Sequence, residues 1–272
     1  MCVLNTFIVG QMFEGIPHTR VMSEPYSFLF VWNMYLRGEI SLVEYETLLQ
    51  STFEVQCKKE RGINRIVIKH NMCATPCLSA LKKWYPEIQL LFITRHPLPS
   101  LKSYDKLWNL LPISGTFAFL SNVNGIYWKN YPIPCDNVIW WERYRSMIQE
   151  GCTLDQNIAM VRVFLFNYWC VVEQYITNKV SYETMILYED LCENPTKVLE
   201  NVFSVLNISL DNIPIALCAM KKDSQQGFFG KRGSNARKPI SKVIGLVDEK
   251  FQEYNIPIEV NMPMESFRNL FD

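Results

Sequence analysis

The clearest pattern in the sequence is an alternation of short apolar runs with longer stretches in which apolar residues recur every three or four positions. The runs have the length and composition of strands, and they cover residues 20–23, 65–69, 90–94 and 184–188. After the third run, Leu98, Leu101 and Leu107 follow at helical spacing. Strands that alternate with helices predict a mostly parallel sheet flanked by helices, in an α/β fold.

The segments between the runs predict helices with one apolar face each. The opening segment is predicted to be a helix that ends at residues 15–17, and residues 26–60 are predicted to be helical with two apolar stripes. Residues 155–178 have the most regular helical spacing, whereas residues 105–150 are rich in aromatic side chains without clear periodicity. The apolar residues expected to face the core include Phe28, Val31, Trp32 and Tyr35, then Leu42, Tyr45, Leu48 and Leu49, and later Trp169, Val172 and Ile176.

Length and composition restrict the class of protein. The 272 residues favour a single α/β domain over the whole chain, and 49% hydrophobic residues suffice for a core. The balance of 27 basic and 27 acidic residues argues against a general attraction to nucleic acid or to anionic membranes. No apolar run reaches the roughly 18 residues of a transmembrane helix. The nine cysteines are scattered and odd in number, which predicts reduced core cysteines and no metal site.

The end of the third apolar run carries the strongest functional signal. Arg95 follows this run directly, so it is predicted to lie at the carboxyl edge of the sheet, where open α/β folds bind ligands. Ser103 comes eight positions later, on the second turn of the helix that follows. A guanidinium fork beside a hydroxyl suits one anion, and a phosphate fits best. The alternative is an arginine that caps a surface turn.

Four stretches together resemble the sulfotransferase family, whose members transfer a sulfuryl group from 3′-phosphoadenosine 5′-phosphosulfate to a hydroxyl or amine. LLFITRHPLPSLKSY is similar to the family's 3′-phosphate motif, and MILYEDLCENPTKVLENVFSVLNI is similar to its later strand and helix. GFFGKRGS resembles a late basic glycine loop, and IVGQMFEGIPHTRVMSEP resembles the opening helix and second strand. The resemblance implies a three-layer, P-loop NTPase-like fold over residues 1–272. It also implies cofactor-binding roles for Arg95, Ser103, Tyr188, Lys231, Arg232 and Gly233.

The chain departs from this family at its start. In the family, a strand and a loop that holds the 5′-phosphosulfate precede the opening helix, whereas this sequence begins inside the segment that resembles that helix. We therefore expect an N-terminally truncated sulfotransferase-like domain that lacks the first strand and its loop. The loss of backbone donors around the transferring sulfate puts the activity of this chain in doubt.

The catalytic groups implied by the resemblance are Lys69, the last residue of the second apolar run, and His70, which follows it. Cytosolic relatives have a lysine and a histidine with one residue between them at this place, whereas here the two are adjacent. The competing bases are Glu14 and Glu24, since Golgi-type relatives use a glutamate on the opening helix, at the position where Gln11 stands here. Among these groups His70 is the preferred general base, and the alternative is that His70 is a structural or surface histidine without a catalytic role.

Three functions remain open on the sequence. The first is sulfuryl transfer to a small-molecule or carbohydrate acceptor, and the second is a non-catalytic relative that binds nucleotide or a protein partner. An unrelated P-loop kinase or hydrolase is the least favoured, because no carboxylate cluster for Mg²⁺ is evident. The location expected is cytoplasmic, with the Golgi lumen as the alternative if an amino-terminal anchor precedes this sequence.

Overall fold

The structure is a computed structural model that divides into two compact units, each discontinuous in sequence. It describes residues 10–23, 26–36, 38–58, 60–70, 75–110, 168–169, 171–221, 240–253 and 255–272. The first unit comprises Met1–Thr94 and Thr177–Ser224, and the second comprises Arg95–Ile176 and Gln225–Asp272. The predicted loop at Lys231, Arg232 and Gly233 and the aromatic stretch at residues 111–150 lie outside the described residues.

The four predicted strands are confirmed, and they form two parallel pairs. β1 (Thr19–Ser23) pairs with β2 (Arg65–Lys69), in a register that runs from Thr19 opposite Arg65 to Ser23 opposite Lys69. β3 (Leu91–Thr94) pairs with β4 (Thr184–Leu187), from Leu91 opposite Thr184 to Thr94 opposite Leu187. The chain is therefore an α/β protein with parallel strand pairing, as the alternating pattern predicts.

Helices occupy most of the remaining described residues. Residues 10–14, 168–169 and 171–177 are helical. The helices with defined bounds are α1 (Tyr26–Leu36), α2 (Leu42–Gln56), α3 (Thr75–Trp84), α4 (Pro97–Leu110), α5 (Tyr188–Glu193), α6 (Pro195–Val205), α7 (Ile213–Met220), α8 (Ile240–Glu253) and α9 (Met264–Asn269). Short 3-10 turns cover Lys179–Ser181 and Leu210–Asn212. Within these residues, no helix has both the length and the apolar character needed to cross a bilayer.

The core of the first unit joins both strand pairs to α6. Leu199, Val202 and Phe203 of α6 are buried in one hydrophobic cluster with Met12 and Phe13 of the opening helical segment. Strand residues from both pairs pack against this same cluster; they are Val21, Val67, Leu91, Ile93 and Ile186. Burial of this apolar surface is the main stabilising contribution to the unit, at roughly 1.5–3 kcal/mol for each fully buried large side chain.

The carboxyl end of α6 fixes the amino ends of β2 and β3. Asn207, with φ of 52°, takes the left-handed conformation that ends many helices. The Gln89 side chain donates to the carbonyl of Val205 at 2.9 Å, and Arg65 donates to the carbonyl of Asn207 at 3.3 Å. Gln89 thus satisfies a carbonyl that the last turn of the helix leaves without a partner, and Arg65 bonds a carbonyl just beyond the helix. The opposite, carboxyl ends of the strands carry the candidate functional residues.

The single helical region predicted for residues 26–60 is two helices separated by a turn. Gly38 has φ of 70°, a conformation that glycine adopts without strain, and it ends α1. Ser41 then begins α2 with a capping box: its hydroxyl accepts from the Glu44 amide at 3.3 Å, and the Glu44 carboxylate accepts from the Ser41 amide at 2.7 Å. The S-x-x-E signal for this cap is visible in the sequence.

This break corrects the predicted core face of α2. Tyr45 and Leu49 are buried as expected, but the side chains of Leu42 and Leu48 are 52% and 39% exposed. Because Ser41 begins a new helix, the face of α2 that is buried depends on how α2 packs against the aromatic cluster of α1 and α3. It does not continue an apolar stripe of α1. Ile176 was predicted to face the core and is also 39% exposed.

The described part of the second unit is helical, and its core is aromatic and aliphatic. Leu101 of α4, one of the leucines predicted at helical spacing, is fully buried, and so are Val247 and Phe251 of α8. Phe267 of α9 is also fully buried and contacts Phe271, with ring centroids 5.1 Å apart. This unit contains the whole turn that follows β3, from Arg95 onward.

Candidate functional site

The carboxyl edge of the β1–β2 pair is the first place where predicted functional residues lie. Lys69 ends β2 opposite Ser23, and its side chain is only 8% exposed. A Cβ atom built on Gly10 would lie 3.7 Å from Lys69 Cδ and 3.8 Å from Ser23 Oγ. The opening helical segment therefore packs directly over this edge, and the buried ammonium of Lys69 lies beneath it.

His70 follows Lys69 and is held by packing. Its ring makes an edge contact with Phe28, with centroids 4.8 Å apart. Nδ1 is buried and has no hydrogen-bond partner among the described residues, although the residue as a whole keeps partial exposure. Burial lowers the pKa of His70 to about 4, because the charged imidazolium loses its hydration there. The imidazole is thus neutral at pH 7, able to accept a proton but weakly basic.

The two predicted catalytic residues contact different elements. Lys69 lies beside Gly10 of the opening helical segment, and His70 lies against Phe28 of α1. Successive residues along an extended chain point to opposite sides, so adjacent positions separate the two groups, whereas one intervening residue would place them on the same side. Because no residue lies between them, Lys69 and His70 therefore point to opposite sides of the chain.

The competing carboxylate bases receive no support from the described residues. Glu14 is exposed, and Glu24 lies outside the described residues. Gln11, at the position where the resemblance would align a glutamate, has a buried side-chain oxygen that accepts no hydrogen bond from the described residues. A carboxamide does not take up protons near neutral pH, so Gln11 supplies no base.

The β3–β4 edge leads into the second group of predicted residues. The last registered pair of these strands is Thr94 and Leu187, and the next residues in the chain are Arg95 and Tyr188. Tyr188 was predicted to end a strand, but it begins α5, with Leu187 as the N-cap. Strand β4 is therefore one residue shorter than its apolar run, because the chain turns into a helix directly after the last ladder pair.

Within the second unit, the backbone of Arg95 is held from two sides. Its carbonyl accepts a hydrogen bond from the hydroxyl of Tyr168 at 3.0 Å and another from Ser100 Oγ at 3.4 Å. Ser103 lies three residues after Ser100 and so continues the face of α4 that contacts the Arg95 backbone. Arg95 and Ser103 are both partly buried, so both retain some accessible surface.

His96 caps the start of α4 with its ring. The amide of Leu98 donates to His96 Nδ1 at 3.3 Å, and this bond requires Nδ1 to be unprotonated. The ring proton therefore lies on Nε2, which donates to the carbonyl of Met262 at 2.8 Å. The imidazole replaces the usual serine, threonine or aspartate at this position.

The first turn of α4 has no amide donor to offer a ligand. Pro97 and Pro99 have no N–H group, the Leu98 amide bonds to the His96 ring, and the Ser100 amide bonds to the His96 carbonyl at 3.1 Å. Many helix starts bind anions through such amides. At this turn an anion would have to be held by side chains, and Arg95 and Ser103 are the ones predicted for it.

Thiol and metal chemistry receive no support within the described ranges. Their free cysteines are Cys57, Cys77, Cys192 and Cys218, and burial raises the pKa of Cys77 to about 12. Such a thiol is unreactive at neutral pH. In the same residues, no three histidine, cysteine, aspartate or glutamate side chains come together in a way that could hold a metal ion.

Comparison of the chain with protein-family models and with curated proteins gave no match. The functional assignment therefore depends on the residues themselves. Sequence reasoning gave no role to His96 or to Tyr168, although both fix the Arg95 turn. A histidine directly before the first-turn proline of a helix is a usable signal for such a cap, whereas the distant Tyr168 gives none.

Proposed function

We propose that this chain is a sulfotransferase-like protein that binds 3′-phosphoadenosine 5′-phosphosulfate and transfers its sulfuryl group to a hydroxyl or amine acceptor. The observation that carries the proposal is the Arg95 turn, with an arginine directly after a parallel strand and Ser103 on the helix face beside the arginine's backbone. Arg95 and Ser103 hold the 3′-phosphate in this proposal. The paired donors of a guanidinium match phosphate oxygens better than a lysine would.

The donor-free start of α4 supports a site built from side chains. Without backbone amides, a phosphate here gains its binding energy from charge-assisted bonds to Arg95 and from the Ser103 hydroxyl. In the same proposal Tyr188 lies near the adenine, and Lys231, Arg232 and Gly233 close over the phosphate. Loss of Arg95 should therefore remove most of the affinity for a nucleotide with a 3′-phosphate.

The finer fold that goes with this function is a three-layer, P-loop NTPase-like arrangement with one parallel sheet. Support comes from the shared core of the first unit, where residues of both strand pairs belong to or pack against one hydrophobic cluster that also contains Leu199, Val202 and Phe203 of α6. Parallel strands are seldom stable as isolated pairs and normally belong to larger sheets covered by helices. We propose that β1–β2 and β3–β4 are parts of one such sheet.

The proposed reaction requires one proton transfer and one exchange of bonds. The acceptor oxygen or nitrogen attacks sulfur, the bond from sulfur to the 5′-phosphate oxygen breaks, and 3′-phosphoadenosine 5′-phosphate leaves with that electron pair. A general base takes the acceptor proton, and a cation offsets the charge on the departing oxygen. His70 is neutral and fits the first role, and Lys69 fits the second.

A second candidate function is nucleotide binding without catalysis. Two observations favour it: the lowered pKa of His70, about 4, makes a weak base, and Gln11 provides no carboxylate in its place. Radiolabelled donor, incubated with the chain and a panel of hydroxyl and amine acceptors, separates the two candidates. Labelled acceptor supports the enzyme, and nucleotide binding with no labelled acceptor supports the second candidate.

The acceptor we propose is a small molecule or a carbohydrate, and the location we propose is cytoplasmic. The second point has support in the residues at the β1–β2 edge. Strand β2 ends at Lys69 and His70 follows it, a lysine and histidine pair as in cytosolic relatives but without their intervening residue, whereas Gln11 stands where Golgi-type relatives use a glutamate.

Calorimetric binding of 3′-phosphoadenosine 5′-phosphate tests the proposed site. The wild type should bind, and Arg95→Ala should bind about 100-fold more weakly, because two charge-assisted hydrogen bonds are lost. Arg65→Ala is the matched control, since Arg65 begins a strand and, among the described residues, donates to the carbonyl of Asn207. Equal affinities for Arg95→Ala and the wild type would contradict the proposal, as would a folded wild type that does not bind.

A further inference from the structure

We infer that His96 is a positioning residue for Arg95, acting by fixing the Arg95–His96 peptide to the carboxyl-terminal segment through Met262. The inference deepens the proposed function and rests on it, since it assigns His96 a part in holding the phosphate-binding arginine. His96 itself does not touch the ligand. Its effect on binding passes through the backbone of the residue before it.

The His96 ring is bonded on both nitrogens and packed on one side. Nε2 donates to the Met262 carbonyl at 2.8 Å, and Nδ1 accepts from the Leu98 amide at 3.3 Å. The ring also meets Phe267 edge to face, with centroids 5.2 Å apart and an interplanar angle of 75°. With 7% of its surface exposed, His96 has little freedom to move.

The segment that receives this bond is itself firmly packed. Val260, two residues before Met262, is fully buried, and its amide donates to Asp248 Oδ1 of α8 at 2.7 Å. Phe267 is fully buried and contacts Phe271. The Met262 carbonyl is thus an acceptor on a fixed support, and a bond to it restrains His96 more than a bond to a loose loop would.

The other end of the Arg95–His96 peptide is restrained as well. The Arg95 carbonyl accepts from Tyr168 at 3.0 Å, so this peptide is held at its carbonyl and at the following ring. The orientation of the peptide sets the direction in which the Arg95 side chain leaves the backbone. Because the start of α4 offers no amide donors, affinity depends on how well the phosphate-binding side chains, and Arg95 in particular, are placed before the ligand arrives.

His96→Asn separates the tie to Met262 from the cap. Asparagine is a favoured N-cap, so its side-chain oxygen keeps the bond from the Leu98 amide, but it is too short to replace the imidazole at Met262. We expect His96→Asn to fold and to bind 3′-phosphoadenosine 5′-phosphate about tenfold more weakly than the wild type. Wild-type affinity in a folded His96→Asn protein would overturn the inference.

The matched control is His18→Asn in the first unit. His18 also bonds a backbone carbonyl through its ring, that of Gly62 at 2.8 Å. It has φ of 58°, a conformation that asparagine tolerates. His18→Asn removes a comparable tie far along the chain from Arg95, so its affinity for the nucleotide should equal that of the wild type.

A double-mutant cycle distinguishes positioning from general loosening of the structure. If His96 acts through Arg95, His96→Asn should have no further effect on affinity in an Arg95→Ala background. A further tenfold loss in that background would overturn the inference, because it would show an effect independent of the arginine.

A separate readout applies if the wild type does not bind the nucleotide at all. That result would reject the proposed function, whereas the tie itself is tested by amide hydrogen exchange of residues 95–100. Faster exchange there in His96→Asn than in the wild type and His18→Asn would support the fixing of the turn by His96. Unchanged exchange would overturn it.

Discussion

Two parallel strands of this protein run into the same residue pattern, a basic residue followed by histidine, with different results. Lys69-His70 comes at the end of β2, and Arg95-His96 comes after β3. Within the part of the chain that the structure describes, His70 Nδ1 has no hydrogen-bond partner, and burial lowers the pKa of the ring to about 4. Both nitrogens of the His96 ring are bonded instead. The same pair of residue types therefore forms a desolvated base in one place and a structural clamp in the other.

The neighbours of each ring account for the difference. His70 meets the ring of Phe28, which offers a packing surface and no hydrogen-bond partner for Nδ1. His96 precedes Pro97, at a helix start where the Leu98 amide needs an acceptor, and Nδ1 of the ring is that acceptor. The Nε2–H group of the same ring donates a hydrogen bond to the Met262 carbonyl. The sequence identifies a histidine at both places, but the residues packed around each ring determine whether it is a desolvated base or a hydrogen-bonded helix cap.

The largest expected effect is the loss of stability in His96→Leu, with His70→Leu as its comparison. His96→Leu should lower the free energy of unfolding by about 3 kcal/mol, since it leaves a partly buried carbonyl and a partly buried amide without their partner. His70→Leu removes no hydrogen bond from Nδ1, so the change should stay within about 1 kcal/mol. Urea unfolding at pH 7 measures both. Equal losses at the two positions would break the comparison.

The second expected effect concerns pH and belongs to His70. The unfolded chain takes up a proton at this residue near pH 6.5, but the folded protein does so near pH 4. Between these values the unfolded state binds more protons, so stability is complete above pH 6.5 and falls as the pH drops toward 4. The loss between pH 7 and pH 4.5 should be about 2 kcal/mol larger in the wild type than in His70→Leu.

Urea unfolding of both proteins across this pH range is the measurement. Carboxylates also titrate in this range, and the subtraction of His70→Leu removes their contribution. Identical pH profiles for the two proteins would show that the His70 ring is hydrated in the folded state. In that case it would also be a stronger base than the structure indicates, and the catalytic form of the proposed function would gain support.

The fold could be predicted from the sequence as far as local pattern decides structure. The four apolar runs give the strands to within a residue, because each run is short and bounded by polar or turn residues. The turn at Gly38 and the exposure of Leu48 depend on how α2 packs against α1 and α3. The spacing of apolar residues along the chain does not predict this packing. Tyr188 continues an apolar run but begins a helix, since the ladder stops at Leu187.

The candidate site divides in the same way. The positions of Arg95 directly after β3 and of Ser103 in α4 could be predicted from the sequence, because a strand followed directly by a helix determines where the two residues lie along the chain. The hydrogen bonds that restrain this turn could not be predicted, because Tyr168 lies 73 residues from Arg95 and Met262 lies 166 residues from His96. The adjacency of Lys69 and His70 was visible, but the desolvation of His70 depends on its contact with Phe28.

The most direct test of the central claim, a 3′-phosphate site at Arg95, compares two nucleotides. Calorimetry should measure the binding of 3′-phosphoadenosine 5′-phosphate and of adenosine 5′-phosphate to the wild type and to Arg95→Ala. We predict that the wild type binds the first nucleotide about 30-fold or more tightly than the second, and that Arg95→Ala loses this preference. A wild type that binds both nucleotides equally, or an Arg95→Ala protein that keeps the preference, would contradict the account.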